Sequence, residues 1–256
     1  MKKNTMMRIA SFLLIAVLLS TSAISGTYAK YVTADDASDS ARVAKWGVKA
    51  SVDGTLFYNS YKNQKTNYTA NEDTIDITVQ AFAEAQKVVA PGTENSDGLT
   101  IVLDGAPEVD VDVVFTFVAN NEIVLPAGTD YTDYTRPTGA QADGTPIYGN
   151  TFDLDAAYYP VVFTLTRNGS PIATGNVAAI QAELALLNKR YDTNQGMAAI
   201  NGTYELTWAW AFEGDYTANG ANIPAATVDK ADTYLGNETT LQNIDVTLTL
   251  SVTQVN

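Results

Sequence analysis

The chain has 256 residues, no cysteine and no histidine, and its 29 acidic against 15 basic side chains give a formal charge of −14. Without those two residue types it has no His-dependent serine triad, no cysteine nucleophile and no histidine-containing zinc site. Its acidity repels nucleic acid and anionic lipid, so neither is expected as a partner.

The N-terminus reads as an export signal. Lys2, Lys3 and Arg8 precede the apolar run Ile9–Leu19, and small residues follow, with Thr27 and Ala29 placed at −3 and −1 of a cleavage site. The apolar run is shorter than the ~20 residues that span a bilayer. Signal peptidase is expected to cut between Ala29 and Lys30, with Ala23, preceded by Thr21, as a rival site. Residues 1–29 are then the signal peptide and 30–256 a single domain, released from the membrane after processing. The lack of cysteine in an exported chain fits a Gram-positive source.

Beyond the leader, side chains alternate with a period of two, the mark of half-buried strands. Ile75, Ile77 and Val79 make the first clear face. After the turn Pro91-Gly92 comes a short strand, Leu99–Leu103, and Asp104-Gly105-Ala106-Pro107 links it to the next. There Val109, Val111, Val113, Phe115 and Phe117 face one way; the opposite face starts polar at Asp110 and Asp112 and is expected to become covered towards Val118. Residues 126–150, rich in Gly, Thr, Asp and Pro and carrying Tyr131, Tyr134 and Tyr148, read as a long surface loop. Asn168-Gly169 supplies the two positive φ angles of a tight hairpin turn. From Val177 the spacing changes: Ile180, Leu184, Leu187 and Tyr191 predict an amphipathic helix over 177–190, capped by Asn176, with Lys189 and Arg190 in its last turn. Tyr204, Leu206, Trp208, Trp210 and Phe212 share an aromatic face; such rings could stack on sugars, but on one strand they read as core. A second irregular stretch covers 214–243. The chain ends on Ile244, Val246, Leu248, Leu250 and Val252 alternating with polar residues. The expected fold is all-β: an antiparallel, jelly-roll-like sandwich with one amphipathic helix and long loop insertions.

Carboxylates are the remaining chemistry, and no spacing singles out an acid pair. The reading is therefore non-enzymatic, with no catalytic residue and no cofactor. Calcium is the one weak candidate, at Glu94-Asn95-Ser96-Asp97-Gly98 or at Asp104, Glu108, Asp110 and Asp112; neither has the spacing of an EF-hand loop, and solvated charge is the favoured account.

Four places together resemble the TasA/camelysin family of exported Gram-positive proteins. They are Gly26-Thr27-Tyr28-Ala29-Lys30-Tyr31 followed by Asp39–Gly47, Val89–Thr93 with Gly105–Val109, Thr207–Gly214, and Asp232-Thr233-Tyr234-Leu235-Gly236 before the last strand. The resemblance implies a jelly-roll subunit of an extracellular fibre or biofilm matrix, exported through an ER-type signal peptidase. The metalloprotease label attached to camelysin-like members is not carried over, because no histidine is present. In such fibres subunits join by strand donation, for which Lys30, Tyr31, Val32 and Thr33 would form the donor and Ala34–Ser40 a flexible connection. Self-association is the expected partnership, with other matrix or surface proteins as further partners. The alternative is a monomeric surface adhesin or ligand-binding module that uses the 126–150 loop and its tyrosines.

Overall fold

Alternating sequence becomes pairing because a strand with one apolar face is stable only when that face is covered and its edges are bonded. The structure, a computed structural model, describes residues 32–33, 47–65 and 76–255. In chain order its elements are β1 (Val32–Thr33), β2 (Val48–Gly54), β3 (Ser60–Lys65), β4 (Asp76–Gln80), β5 (Glu94–Gly105) and β6 (Val111–Asn121). Then come β7 (Tyr131–Thr132), β8 (Gly139–Ala140), β9 (Pro146–Ile147), β10 (Thr151–Phe152), β11 (Val162–Arg167), β12 (Ser170–Gly175) and α1 (Val177–Leu187). The last are β13 (Lys189–Tyr191), β14 (Gly202–Ala209), β15 (Tyr216–Ala218), β16 (Ala221–Ile223), α2 (Ala225–Asn237) and β17 (Asp245–Gln254).

Two antiparallel sheets make the body, in the orders β1-β17-β6-β13 and β12-β11-β14-β5-β2. Their inner faces meet as a sandwich. Phe115 of one sheet touches Tyr204 of the other at 5.4 Å between ring centroids, and Phe117 touches Phe163 at 5.5 Å, edge to face. Ile101, Leu103, Val111, Val113, Phe117, Phe163, Leu165 and Tyr204 are sealed from solvent. Trp208 belongs to this core, and its indole N–H donates to the Leu56 carbonyl at 2.6 Å. Neither Trp208 nor Trp210 has a face free for a sugar.

Several expectations are corrected. The strand expected at Leu99–Leu103 runs from Glu94 to Gly105, bending at a bulge where Leu206 and Trp208 pair with Leu99 and Asn95. The outer face of β6 is not covered: Val114 is 43% and Val118 36% exposed. The helix stops at Leu187 instead of 190. Lys189 and Arg190 are not in a last turn but in β13, paired with Val113 and Asp112. The reason lies at Asn188, whose side-chain amide bonds both the N–H (2.6 Å) and the carbonyl (2.8 Å) of Phe115 and so draws the chain into the sheet. There are two helices among the described residues, not one, because α2 occupies part of the stretch read as irregular. The 126–150 segment is mostly exposed, as a surface loop, but carries short pairings. Tyr131 is buried in β7, which pairs with β10, and β8–β9 is a small hairpin.

Candidate functional site

The two flanks of the sandwich end differently. On one, α1 packs across β6, β11 and β12 and seals the gap with Ile180 and Leu184. Asn176 caps that helix through Oδ1, which accepts from the Ala179 N–H at 3.1 Å, and Glu122 accepts from the Val177 N–H at 3.0 Å. The lost solvation of Glu122 raises its pKa, offset in part by that bond.

On the other flank the outer strands are β2 and the short β1 laid on β17. β1 covers only the far end of β17, through Val32 opposite Thr253 and Thr33 opposite Val252. Among the described residues no strand pairs with the outer edge of β17 over Asp245–Ser251. Side-chain burial follows this geometry. On β6 the inward residues from Val111 to Phe117 are at most 2% exposed, and on β17 Val252 is 1% exposed. Val246, Leu248 and Leu250, equally apolar, are only half-buried, and so are Val48, Ala50 and Val52 on β2. Beside the start of β17 lies a groove of about 320 Å³ lined by Leu56, Phe57, Leu99, Ile244 and Val246 together with the polar Thr55, Lys87 and Asp245.

The sequence-derived donor residues meet this seam in part. Val32 and Thr33 lie on the β17 edge. Ala29, Lys30 and Tyr31, and the connection Ala34–Ser40, lie outside the described residues. The strand on which β1 lies was itself legible in the sequence, as the long aliphatic alternation 244–252. Its place at an edge was not, because edge or centre is decided by long-range pairing.

The acidic candidates are dispersed. Asn95 is a brace inside β5: its Nδ2 donates to the carbonyls of Thr55 (2.7 Å) and Leu56 (2.9 Å), and its Oδ1 accepts from the Asp97 N–H. Asp112 pairs with Arg190 at 3.0 Å, and Asp110 accepts from the Thr193 N–H at 3.1 Å. Among the described residues no three acidic side chains converge as a metal site.

Two features at α2 go beyond the sequence reading: the half-buried setting of Asp232, and Tyr234 joining Tyr131, Tyr134 and Tyr148, already named there, in one aromatic surface. Asp232 directs its carboxylate beneath the helix. It accepts from the Tyr158 hydroxyl at 2.6 Å and the Trp210 indole at 3.1 Å. Lost solvation outweighs those two bonds and pushes its pKa up to about 7. Burial likewise raises Tyr158, reinforced by the Asp232 charge. Nearby, Asp133 is buried and pairs with Lys230 at 3.1 Å; the Thr135 hydroxyl and N–H, with Lys230, hold its pKa down. Tyr148, Tyr134, Tyr234 and Tyr131 follow one another in ring contact along this face.

No family model matches the chain, and neither the curated proteins nor the solved structures give a match to it.

Proposed function

We propose that the chain is a secreted structural subunit of a Gram-positive cell surface or biofilm matrix. Copies join when the mature N-terminus of one, beginning at Lys30, adds as a strand to β17 of the next. The observation that carries this reading is β1 seated on the β17 edge beside a seam of half-buried apolar side chains. An unpaired strand edge presents N–H and C=O groups that an extended segment satisfies, and half-buried alternate side chains give that segment its grip. The pairing made within one chain is the same pairing a neighbour offers, so the exchange is of domain-swap type and needs no new interface chemistry. The TasA/camelysin resemblance, jelly-roll winding included, adds export and matrix assembly to the reading. No catalytic role is proposed.

The test uses the absence of native cysteine. Val32→Cys and Thr253→Cys are made separately and the two mature proteins are mixed under mild oxidation. Cα partners in an antiparallel ladder lie within disulfide reach. Strand donation gives filaments by negative-stain electron microscopy, linked by disulfides between unlike copies. Filaments without that cross-link, or monomers at every concentration, would overturn it. A monomer that binds glycans would favour the second reading, an adhesin or ligand-binding module, for which the partly exposed Tyr134, Tyr148 and Tyr234 speak.

A further inference from the structure

With fourteen tyrosines and no cysteine, the chain carries phenol rings, and no thiols, for an oxidative cross-link between its own side chains. The rings are not equivalent. Tyr131 with Tyr234 and Tyr158 with Tyr216 are each 5.0 Å apart at the ring centroids, and Tyr58 with Tyr61 is 6.1 Å apart. In each of those pairs one member is sealed from a diffusing oxidant: Tyr131, Tyr158, Tyr216 and Tyr61 are all below a tenth exposed. Tyr134 and Tyr234 are both reachable but stand 6.2 Å apart. Tyr134 and Tyr148 combine the two requirements. Their rings are 5.0 Å apart, edge to face at 69°, and both are partly exposed.

The backbone holds that pair in place. Tyr134 follows β7 and Tyr148 precedes β10, and these strands pair through Thr132 and Thr151. The Asp133 N–H donates to the Asn150 carbonyl at 2.9 Å on one side of the pair. On the other the Thr138 N–H donates to the Ile147 carbonyl at 2.7 Å. Two side chains fixed as neighbours react as if at very high mutual concentration.

We infer that Tyr134 and Tyr148 form a dityrosine cross-link when the folded protein meets a peroxide and a one-electron oxidation catalyst. Each phenol gives up one electron and its O–H proton. The two phenoxyl radicals join through a carbon–carbon bond between ring positions ortho to oxygen. Each joined carbon then loses its hydrogen as a proton while a proton returns to each oxygen. One hydrogen peroxide accepts the two electrons and two protons and leaves as two waters. The product is a covalent clasp across the β8–β9 hairpin, which narrows the unfolded ensemble as other cross-links do.

The experiment treats the dilute purified protein with peroxidase and stoichiometric hydrogen peroxide, then digests it on the N-terminal side of aspartate. Asp133, Asp143 and Asp153 place Tyr134 and Tyr148 on separate peptides, 133–142 and 143–152, with one tyrosine each. The expected product is those two peptides joined with loss of two hydrogens, together with dityrosine fluorescence. Tyr148→Phe is expected to remove both, Tyr58→Phe neither, and oxidation in urea to scatter the coupling over other tyrosines. Dityrosine mapped mainly to another pair in the folded protein, or fluorescence undiminished in Tyr148→Phe, overturns the inference. So does peroxide consumption with no coupled peptide. The peptide map of the parent protein decides the matter even if a variant folds poorly.

Discussion

At Asp232 the protein carries an acid whose surroundings resist its charge. The groups that face it are the Tyr158 hydroxyl and the Trp210 indole, with Asp229 as a like charge on the same helix. Its ordinary pKa of 3.8 applies to the unfolded chain, and about 7 to the folded one. Between those values the folded state holds a proton that the unfolded state has released, so stability falls as pH rises through that window and levels off above it. The slope from this one group is about 1.4 kcal/mol per pH unit. Asp232→Asn keeps the acceptor and discards the charge. Urea melts from pH 4 to 8 should show a flatter descent for the variant and, at pH 8, a variant more stable than the parent. Parallel curves would mean that Asp232 does not ionise within this range. The setting of Asp232 was not legible in the sequence, where the residue stands out only as the first of the Asp232–Gly236 stretch that carries part of the resemblance. Trp208 and Trp210 were legible as core, although β14 ends at Ala209 and Trp210 is buried just beyond it. Their hydrogen-bond partners, Leu56 and Asp232, were not, because nothing local relates them.

Elements show the same division. The start of α1 could be read from Asn176 and from the spacing of Ile180 and Leu184. Asn176 also donates its own N–H to the Asn219 side chain at 2.8 Å, which ties the helix start to the turn between β15 and β16. Asn176→Ala should cost about 1 kcal/mol of unfolding free energy, the usual worth of a cap. Leu184→Ala, at a site 1% exposed, should cost about 2–5 kcal/mol. Denaturant titration separates the two, and a Leu184→Ala loss no larger than the cap's would show that α1 is not part of the core. The helix end misled because Lys189 and Arg190 suit a C-terminal turn as well as a strand, and the choice was made by Asn188 gripping Phe115 across the fold. α2 was hidden for a different reason. Its buried residues Val228, Ala231 and Leu235 keep helical spacing, and Pro224 stands just before it. The stripe is thin, one member is only alanine, and Gly236 and Asn237 look like loop.

For the molecule as a whole, alternation was enough to foretell two packed antiparallel sheets, because strands with one apolar face have few other ways to cover it. The sheet orders were not legible, since β17 finds β6 and β1 finds β17 across most of the chain. That long-range pairing is what leaves one flank bolted by α1 and the other, among the described residues, with only the short β1 on β17. Leu248 lies on that second flank and is half-buried, so Leu248→Lys can turn its ammonium to water while its stem stays on the sheet. The variant should keep the parent's circular dichroism and monomer melting while filament yield collapses. Unchanged filament growth would mean that the seam is not the receiving surface. Loss of the monomer fold would instead place Leu248 in the core proper, and Thr249→Lys on the outer face then serves as the matched control.

A receiving seam on one flank has a kinetic consequence. In the proposed assembly each copy gives once and receives once, so growth is linear, unbranched and directional, with two unlike ends. A copy that starts beyond Thr33 can still receive but has nothing to give. Added in small proportion, it would take no place inside a growing line and could only sit at one terminus, where its effect on elongation reports which end grows.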